Sequence, residues 1–302
     1  MIAFIVHGAR ARHRRVRELR ALCEADVGLR SCAWWYSERE GHAAELTTQA
    51  IRQGARVIVA VGGDGTVNEV ANGVVAADVA DGCVRMSIFP VGSGNDCARS
   101  LGITDDATRC VARLESPSSQ VRVVDLLTVQ CGSAERHCIN VSDAGLGGFV
   151  AGLVAKTPSW WNADLRYFLS GLAGILRFTK PMVRVEWEQE GMTRSWEGRS
   201  MTVCFANFGI FGGGIVIAPH ADAHDGLAAL TIIGDVSVLD YLRWMPALRA
   251  GRRIKHPQVR YEQCTRAVLH SDVPVPIEID GEVVGATPLE LRVMPQRLRV
   301  IV

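Results

Sequence analysis

The sequence lacks several features that would place it in a familiar class. Its nine cysteines never stand in a CxxC spacing, and no segment repeats along the chain. We therefore expect no zinc knuckle, disulfide framework or repeat array. We expect the cysteines to be small buried thiols in a reducing compartment. The formal net charge is only +1, which argues against a general electrostatic hold on nucleic acid. We expect no nucleic-acid partner.

Long apolar runs are also missing. The most apolar stretch is 167–176, between two arginines, and it is too short to span a bilayer. The first residues lead directly into a strand pattern at 2–6, without a charged leader or a cleavage site. These features predict a cytoplasmic protein that meets a membrane at most from its surface.

The first part of the chain alternates strand and helix patterns. Strands are predicted at 2–6, 32–36, 57–61 and 86–90, and helices at 11–25, 42–53, 66–77, 96–101 and 106–114. This alternation predicts a mostly parallel sheet with helices on both faces, built from residues 1–124. Ligands of such sheets bind beyond the carboxyl ends of the strands.

The pattern changes after residue 121. Alternating apolar and polar residues predict antiparallel strands at 183–188, 201–205, 227–233, 259–261, 267–269 and 277–279, with helices near 160–178 and 238–250. We interpret 125–289 as a β-rich second domain. The apolar end of the chain, from about 290 to 302, is expected to return to the first domain.

A glycine-rich loop, GGDGTVNE at 62–69, follows the buried strand pattern 57–61. Gly62, Gly63 and Gly65 permit positive φ and let phosphate oxygens approach the backbone closely. A tight turn without a ligand is the alternative interpretation of the same residues.

Two side chains of this loop carry functional groups that can bind a ligand. Asp64 offers a carboxylate to Mg²⁺ or to a phosphate-bound water, and Thr66 offers a hydroxyl to a phosphate or to the start of a helix. No Walker A pattern occurs in the sequence, and GGDGTV does not supply the GxGxxG fingerprint of dinucleotide-binding folds.

A second loop, PVGSGND at 90–96, repeats this arrangement after the strand pattern 86–89. Ser93 offers a hydroxyl to phosphate, while Asn95 and Asp96 suit the start of the next helix. Two strand–loop–helix junctions on one sheet place backbone N–H groups and positive helix ends at one edge. The pair of loops predicts a nucleotide site more strongly than either loop alone.

The segments GGDGTVNEVANG at 62–73 and PVGSGNDCARSLG at 90–102 resemble the catalytic domain of the diacylglycerol kinase family, and most closely its soluble bacterial lipid kinases. Further similar motifs follow in the same order over almost the whole chain: INVS at 139–142, NFG at 207–209, GGG at 212–214, PHADAHDGL at 219–227 and DGE at 280–282. The resemblance implies an N-terminal three-layer α/β nucleotide-binding domain, a C-terminal β-sandwich domain for the lipid substrate and a returning tail.

The resemblance also implies which residues bind the phosphates of ATP. Ser93 stands where the family usually has threonine, which keeps the hydroxyl, and Ser37 matches another family threonine less closely. The implied nucleotide-binding residues are Ser37, Gly62, Gly63, Asp64, Gly65, Thr66, Val67, Asn68, Gly92, Ser93 and Asn95.

Asp280 matches the catalytic base of the family, and Glu282 is expected to support it. An alcohol must lose its proton as it attacks the γ-phosphorus, and an ionised aspartate within reach can accept that proton. Without the resemblance, the sequence Asp-Gly-Glu would predict only a hairpin turn.

The resemblance assigns a structural Mg²⁺ to Asp225, together with the backbone carbonyls of Asp222 and Leu227. Ligation by oxygen alone suits a hard cation. His220 and His224 raise zinc as an alternative, but the proline and glycine around them disfavour the helix that their spacing would need. We expect surface histidines instead.

Two further segments keep more than one interpretation. The arginine-rich run 10–17 could approach phosphates or an anionic membrane, or could form a solvated helix face behind Val16, Leu19 and Leu22. The apolar segment 160–178 could serve as a wall for an acyl chain or a patch at the membrane interface, or could pack as a helix on the second domain.

Together these features predict an ATP- and Mg²⁺-dependent lipid kinase that phosphorylates a diacylglycerol-like hydroxyl met at the membrane surface, with a homodimer left open. One alternative is a NAD kinase-like enzyme, which shares the GGDG loop and whose glycine-rich stretch is similar to 143–149. The other is a catalytically silent module that binds nucleotide and lipid. The motifs at 90–96 and 280–282 favour the lipid kinase.

Overall fold

The computed structural model describes residues 1–77, 83–116, 120–158 and 163–302. The chain forms two compact units. The first consists of residues 1–125 and 296–302, and the second of residues 126–295. The tail that joins the first unit thus begins at Gln296 rather than near residue 290, because Leu289–Arg292 pairs with Arg266–Leu269 of the second unit.

The helices and strands have the following bounds. The helices are α1 (Arg14–Ala25), α2 (His42–Arg52), α3 (Asp64–Ala76), α4 (Asp96–Ser100), α5 (Ala107–Glu115), α6 (Leu146–Lys156), α7 (Ala163–Arg177) and α8 (Val238–Arg249), with a 3-10 turn at Gly8–Arg10. The strands are β1 (Ile2–His7), β2 (Ala33–Ser37), β3 (Val57–Gly62), β4 (Arg85–Pro90), β5 (Val121–Cys131), β6 (Ala134–Cys138), β7 (Val141–Gly145), β8 (Met182–Gln189), β9 (Met192–Arg199), β10 (Thr202–Ala206), β11 (Ile210–Phe211), β12 (Ile215–Val216), β13 (Ala228–Ile233), β14 (Val259–Cys264), β15 (Arg266–Ser271), β16 (Pro276–Ile279), β17 (Glu282–Ala286) and β18 (Leu289–Ile301).

The first unit contains a parallel sheet in the order β2-β1-β3-β4. Val300, near the end of the chain, pairs with Met86 and extends the sheet beyond β4. Every residue of β3 is buried, as expected for a strand covered on both faces. The α/β class predicted for this part of the chain is confirmed.

Side chains of the central strands alternate between two layers of helices. Phe4 and Val59 pack with Leu19 of α1 and Cys110 of α5 in one apolar cluster. On the second face, α2 and α3 contact β1 and β3 and also each other. The contact between α2 and α3 is close, since a Cβ on Gly73 would lie 2.6 Å from the carbonyl oxygen of Ala44.

The second unit is a β-sandwich, as predicted. One layer is the antiparallel sheet β14-β13-β10-β7-β16-β17, and the other contains β15, β8 and β9 with the first part of β18. Phe205 and Ile277 from one layer share a buried cluster with Val185 and Leu291 from the other. Apolar side chains of the two inner faces thus form the core.

The outer face of the first layer is covered by helices. Cys204 and Ala229 pack there with Leu146 of α6 and, less deeply buried, Ile175 of α7 and Trp244 of α8. Among the described residues, no helix has both the length and the apolar character needed to cross a bilayer.

Several elements of the second unit differ from the sequence-based expectation. The strands β5, β6, β7, β9, β11, β12 and β17 and the helix α6 were not predicted, and β18 is much longer than a short apolar tail. Helix α6 opens with Leu-Gly-Gly, which is poor in helix formers. Close packing explains the glycines, because a Cβ on Gly148 would lie 2.6 Å from the carbonyl oxygen of Pro276.

Candidate functional site

The carboxyl ends of the parallel strands lie along one edge of the first unit. His7 pairs with Ser37 in register, and Gly62 pairs with Pro90. Ser37 is buried at this edge, and the 3-10 turn that begins at Gly8 packs against its carbonyl. The predicted nucleotide residue Ser37 therefore lies at the same edge as both glycine loops, two strands away from Gly62.

The two glycine loops touch each other through their backbones. A Cβ on Gly63 would lie 3.1 Å from Gly92 Cα, and a Cβ on Gly92 would lie 3.1 Å from Gly63 N and closer still to its Cα. The amide of Val91 donates to the carbonyl of Gly62 at 2.9 Å and fixes the approach. The absence of side chains at Gly63 and Gly92 is thus a requirement of the fold.

Two carboxylates meet beside the second loop. Asp64 Oδ1 accepts a hydrogen bond from the amide of Cys97 at 3.1 Å, which ties the first loop to the start of α4. A Cβ on Gly94 would lie 2.9 Å from Asp64 Oδ2 and 3.7 Å from Asp96 Oδ2. Asp96 is buried, although the sequence indicated only a helix-capping role for it. This pair of acidic side chains supplies hard oxygen donors next to the glycine loops.

Helix α3 begins at Asp64, two residues earlier than predicted, with Gly63 at its N-cap. Thr66 therefore does not cap the helix. Its side chain is buried in the first turn, and a Cβ on Gly62 would lie 2.5 Å from Thr66 Cβ. The amides of the first helical turn have no partner four residues back, so they point out of the helix end toward the loops.

The remaining predicted nucleotide residues take different positions. The side chain of Val67 is buried and its backbone amide donates to the carbonyl of Gly63 at 3.0 Å, whereas Ser93 is exposed. Asn95 stands at the N-cap of α4 with φ of 56°, but its side chain does not cap the helix. Instead it accepts from the amide of Gly92 and donates to the carbonyl of Gly92, both at 2.9 Å. Asn95 thus shapes the second loop from within.

In the second unit, Asp280 and Gly281 form the two-residue turn of the hairpin β16–β17. Their φ angles are 49° and 97°, the left-handed region that tight hairpin turns use. The hairpin turn expected from the sequence is confirmed, and within it Asp280 is buried while Glu282 is exposed.

The carboxylate of Asp280 accepts three backbone hydrogen bonds. The amides of Asn140 and Val141 donate to Oδ1, and the amide of Ile139 donates to Oδ2, each at 2.9 Å. The thiol of Cys138 also donates to Oδ1, at 3.3 Å. Burial and the nearby Asp280 raise the pKa of Cys138 well above its ordinary value, so the thiol keeps its proton.

Three motifs far apart in sequence meet at this turn. The backbone amide of Asn207 donates to the backbone carbonyl of Asn140 at 2.8 Å. The side-chain Nδ2 of Asn207 donates to the carbonyl of Ile139 at 3.0 Å. Asn140 Nδ2 in turn donates to the carbonyl of Ile210 at 2.9 Å. The structural role of Asn207 was not predicted, since the sequence gave only its place in a series of similar motifs.

Two aspartates fold the loop 222–227 upon itself. Asp222 Oδ1 accepts from the amide of His224 at 3.0 Å, and Asp225 Oδ1 accepts from the amide of Leu227 at 2.9 Å. Asp225 Oδ2 accepts from Gln263 at 3.1 Å. Both aspartates are exposed, so a hydrated cation could reach them. Among the described residues, no group of three His, Cys, Asp or Glu side chains is placed to hold a metal by itself.

The two histidines of this loop differ. His224 is exposed, as expected. His220 is half-buried, contrary to the expectation of a surface histidine, and its Nε2 lies 2.8 Å from the carbonyl oxygen of Glu262. Its ring also packs edge-on against Tyr261. Burial lowers the pKa of His220, which keeps it neutral.

Helix α7 has one packed face and one exposed face. Ile175 packs against the outer core cluster, while Leu169, Leu172 and Leu176 are exposed at 38%, 44% and 69%. Trp160, Trp161 and the side chains of Leu165 and Phe168, which the sequence assigned to the same apolar segment, lie outside the described residues.

The arginine-rich run of the first unit begins helix α1. Val16 and Leu19 are buried and Leu22 packs beside them, as the solvated-helix interpretation requires. Arg12, Arg14 and Arg17 are exposed. Arg15 forms an ion pair with Asp105.

Comparison with known protein families matches the two parts of the chain separately. Residues 2–129 match the model described as the diacylglycerol kinase catalytic domain. Residues 140–302 match the model described as the YegS C-terminal NAD kinase beta sandwich-like domain. The two matches together cover almost all of the chain.

Individual relatives agree with these models. The chain is 30% identical over 271 residues to the "Probable lipid kinase YegS-like" of Stenotrophomonas maltophilia (strain K279a), covering 86% of this chain and 83% of that protein. It is 26% identical over 265 residues to the diacylglycerol kinase of Bacillus subtilis (strain 168), covering 86% and 82%. A diacylglycerol kinase crystal structure from Bacillus anthracis str. Sterne superposes with a TM-score of 0.70 at 14% identity, covering 99% of this chain and 96% of that one. This last likeness shows the fold alone.

Proposed function

Since the chain belongs to the diacylglycerol kinase family of lipid kinases, and is therefore a kinase, we propose that it transfers the γ-phosphoryl group of ATP to the hydroxyl of a diacylglycerol-like lipid. The observation that supports this most directly is the backbone contact between Gly63 and Gly92, flanked by the carboxylates of Asp64 and Asp96. Bare amides beside two acidic side chains suit a phosphate chain that arrives as its magnesium complex.

The first unit binds and orients the nucleotide in this proposal. Amides of the loop at Gly63 and of the first turn of α3 donate to phosphate oxygens, with the positive end of the helix behind them. Ser37 and Ser93 contribute hydroxyls from the same edge. Asp64 and Asp96 would hold Mg²⁺, which neutralises charge that develops on the transferring group.

Asp280 receives the proton of the attacking hydroxyl. Its three amide hydrogen bonds fix the orientation of the carboxylate before substrate arrives. Phosphoryl transfer demands little covalent chemistry of the enzyme, so a fixed orientation matters more than a strong base. Glu282 lies next to the turn and supports it from the exposed side.

The lipid substrate is met at a membrane surface. The exposed leucines of α7 lie three and four residues apart, which places Leu169, Leu172 and Leu176 on one side of the helix. Arg177 is exposed at its end, and would favour anionic headgroups. Replacing Leu172 and Leu176 with aspartate is expected to reduce binding to anionic vesicles while leaving ATP binding unchanged.

The loop 222–227 binds a structural Mg²⁺ in this proposal, through the carboxylate of Asp225 and the carbonyls of Asp222 and Leu227. The donor set fits, because it contains only oxygen and because the exposed loop leaves room for the waters that Mg²⁺ retains. A thermal melt with and without EDTA tests this site independently of catalysis.

The decisive experiment is a transfer assay with labelled ATP and three acceptors: dispersed diacylglycerol, a total lipid extract and NAD. We expect label in lipid and none in NAD. Asp280→Asn should lower turnover by roughly 10²–10⁴, with the KM for ATP unchanged. The matched control is Asp272→Asn, an exposed aspartate of the same unit, which should retain full turnover. Full turnover in Asp280→Asn would exclude Asp280 as the base.

A further inference from the structure

Two acidic side chains face each other inside the second unit, beside the Asp280 turn. Asp143 of β7 stands directly opposite Glu278 of β16 in the antiparallel register. Their exposed fractions are only 1% and 6%. Both carboxyl groups converge on the first turn of α6, because a Cβ on Gly147 would lie 2.9 Å from Asp143 Cγ and 3.1 Å from Glu278 Oε2.

Among the residues that the structure describes, no cationic side chain neutralises this pair. Within the described part of the chain, neither carboxyl forms an ion pair with a lysine, arginine or histidine. Two neighbouring carboxylates that are both buried cannot both be ionised at neutral pH without a large free-energy penalty. The pair therefore retains a proton.

The groups that face the pair come from every element packed on it, and they are neutral donors or further acids. Strand β10 contributes the hydroxyl of Thr202 and the thiol of Cys204, and helix α6 contributes the amides of Gly147 and Gly148. Helix α8 contributes the hydroxyl of Tyr241. The hairpin turn contributes the carboxyl of Asp280 and the amide of Gly281. The pKa values of Cys204 and Tyr241 are raised by burial and by the nearby acids, so both remain neutral.

Hydrogen bonding places the proton on Glu278. Asp143 accepts from the hydroxyl of Thr202 and, at 3.1 Å, from the amide of Gly147, so a negative charge is better stabilised there. Burial raises the pKa of Asp143 to about 7, with these hydrogen bonds opposing the rise. Burial, with the charge of Asp143 added, raises the pKa of Glu278 to about 8.

Glu278 also holds the turn that carries Asp280. Its Oε1 accepts from the amide of Gly281 at 2.8 Å. Asp280 and Gly281 are the two central residues of the turn, so the bond to the amide of Gly281 fixes the residue next to Asp280. The register shifts between Ile277 and Glu278, and the side chain of Glu278 lies on the face of the sheet that α6 covers, opposite the core side chains Ile277 and Ile279.

We propose that Glu278, kept protonated by its burial beside Asp143, is a positioning residue for Asp280, and that loss of this proton at alkaline pH loosens the turn. A second negative charge on Glu278 would repel Asp143 on one side and Asp280 on the other. The carboxyl would then move away from the amide of Gly281. The role in turnover rests on the proposed function, whereas the buried acid pair itself does not.

Glu278→Gln tests the proposal because glutamine mimics the protonated acid. Its oxygen can accept from the amide of Gly281 and its side chain carries no charge at any pH. We expect wild-type kcat for lipid phosphorylation to fall as the pH rises from about 7 to 9 through the raised pKa of Glu278. The variant Glu278→Gln should keep its kcat over this range, with the KM for ATP unchanged in both.

Two further variants complete the test, one that removes the acceptor and one that serves as a control. Glu278→Ala removes the acceptor for Gly281 and should lower kcat by about 10–100-fold at every pH, with the KM for ATP unchanged. Glu135→Gln makes the same chemical change at an exposed position of the unit and should follow the wild type. An alkaline fall in Glu278→Gln identical to that of wild type would overturn the proposal.

A readout that needs no turnover separates this inference from the proposed function. The amides of Ile139, Asn140 and Val141 bond to Asp280, so their hydrogen exchange, corrected for intrinsic rates, reports on the turn. In wild type their exchange should accelerate between pH 7 and 9, and in Glu278→Gln it should not. Equal acceleration in both proteins rejects the proposal even if no lipid is phosphorylated.

Thermal unfolding gives the same comparison if Glu278→Ala does not fold. A carboxyl whose pKa is raised in the folded state contributes stability that is complete below its unfolded pKa and disappears as the pH rises through the folded value. The melting temperature of wild type should therefore fall between about pH 5 and 8 more steeply than that of Glu278→Gln. Equal slopes would show that the pair does not hold the proton.

Discussion

Replacing Gly92 with alanine would place a methyl group between the two glycine loops of the first unit. The new Cβ would lie 3.1 Å from Gly63 N and closer still to Gly63 Cα, and both atoms are backbone that cannot rotate away. Carbon atoms in favourable contact lie about 3.5–4.0 Å apart. The loops must therefore separate by about 1 Å, and overpacking of this kind destabilises a fold by about 1–3 kcal/mol.

The separation should also displace the amides that are proposed to bind phosphate. A misplacement of about 1 Å in a catalytic site can lower the rate by about 10²-fold. We expect Gly92→Ala to lower kcat/KM for ATP by that order, and Gly63→Ala to have a smaller effect because its nearest neighbour would be at 3.1 Å. The assays are steady-state kinetics with varied Mg-ATP and a thermal melt of the same samples.

Gly152 supplies the control for this pair. It lies in helix α6 of the second unit, and a Cβ on it would meet nothing within 4 Å. Gly152→Ala should therefore leave the kinetics unchanged and stabilise the fold slightly, by up to about 1 kcal/mol. If Gly92→Ala matched Gly152→Ala in both kcat/KM and melting temperature, the loops would not be held by their backbone contact.

Three further predictions concern the second unit. Thr202→Val removes the hydroxyl that donates to the buried Asp143, and should lower the free energy of unfolding by about 1–3 kcal/mol in denaturant titrations; an unchanged midpoint would contradict this. Gly145→Ala forces alanine to a φ of 139° with its Cβ 2.9 Å from Thr202 Cα, and should lower the melting temperature or prevent folding; a fully stable variant would refute the strain. Asp225→Asn should abolish any loss of melting temperature that EDTA causes in wild type, and an EDTA effect that survives the substitution would place the cation elsewhere.

The Asp280 turn shows why one motif supports two interpretations. Asp-Gly is a strong hairpin signal, and the chain uses it as a hairpin between β16 and β17. The same backbone conformation turns the carboxylate of Asp280 toward the amides of Ile139, Asn140 and Val141. Local conformational preference determines the turn, whereas the partners of the carboxylate come from strand pairing more than a hundred residues away in sequence.

Residues that sequence reasoning missed share a physical cause. Asp96, Asp143 and Glu278 look like ordinary solvated acids in the sequence, because nothing local indicates burial. The register of β7 with β16 places Asp143 opposite Glu278, and both are buried where the first turn of α6 packs on the sheet. No local signal was available for Glu278, since Ile277-Glu278-Ile279 alternates as a half-buried strand does and predicts a solvated acid.

Local sequence determined the parts of this protein that depend on backbone freedom and on short-range periodicity. The alternating strands and helices of the first unit, and both glycine loops at the strand ends, follow from residue order and from the conformational range of glycine. Tertiary structure alone decided which glycines touch, which carboxylates are buried and which amides hold Asp280. Those properties depend on strands that are distant in the chain and adjacent in space, and the free energy of a charge depends on the neighbours and the water that only the folded chain provides.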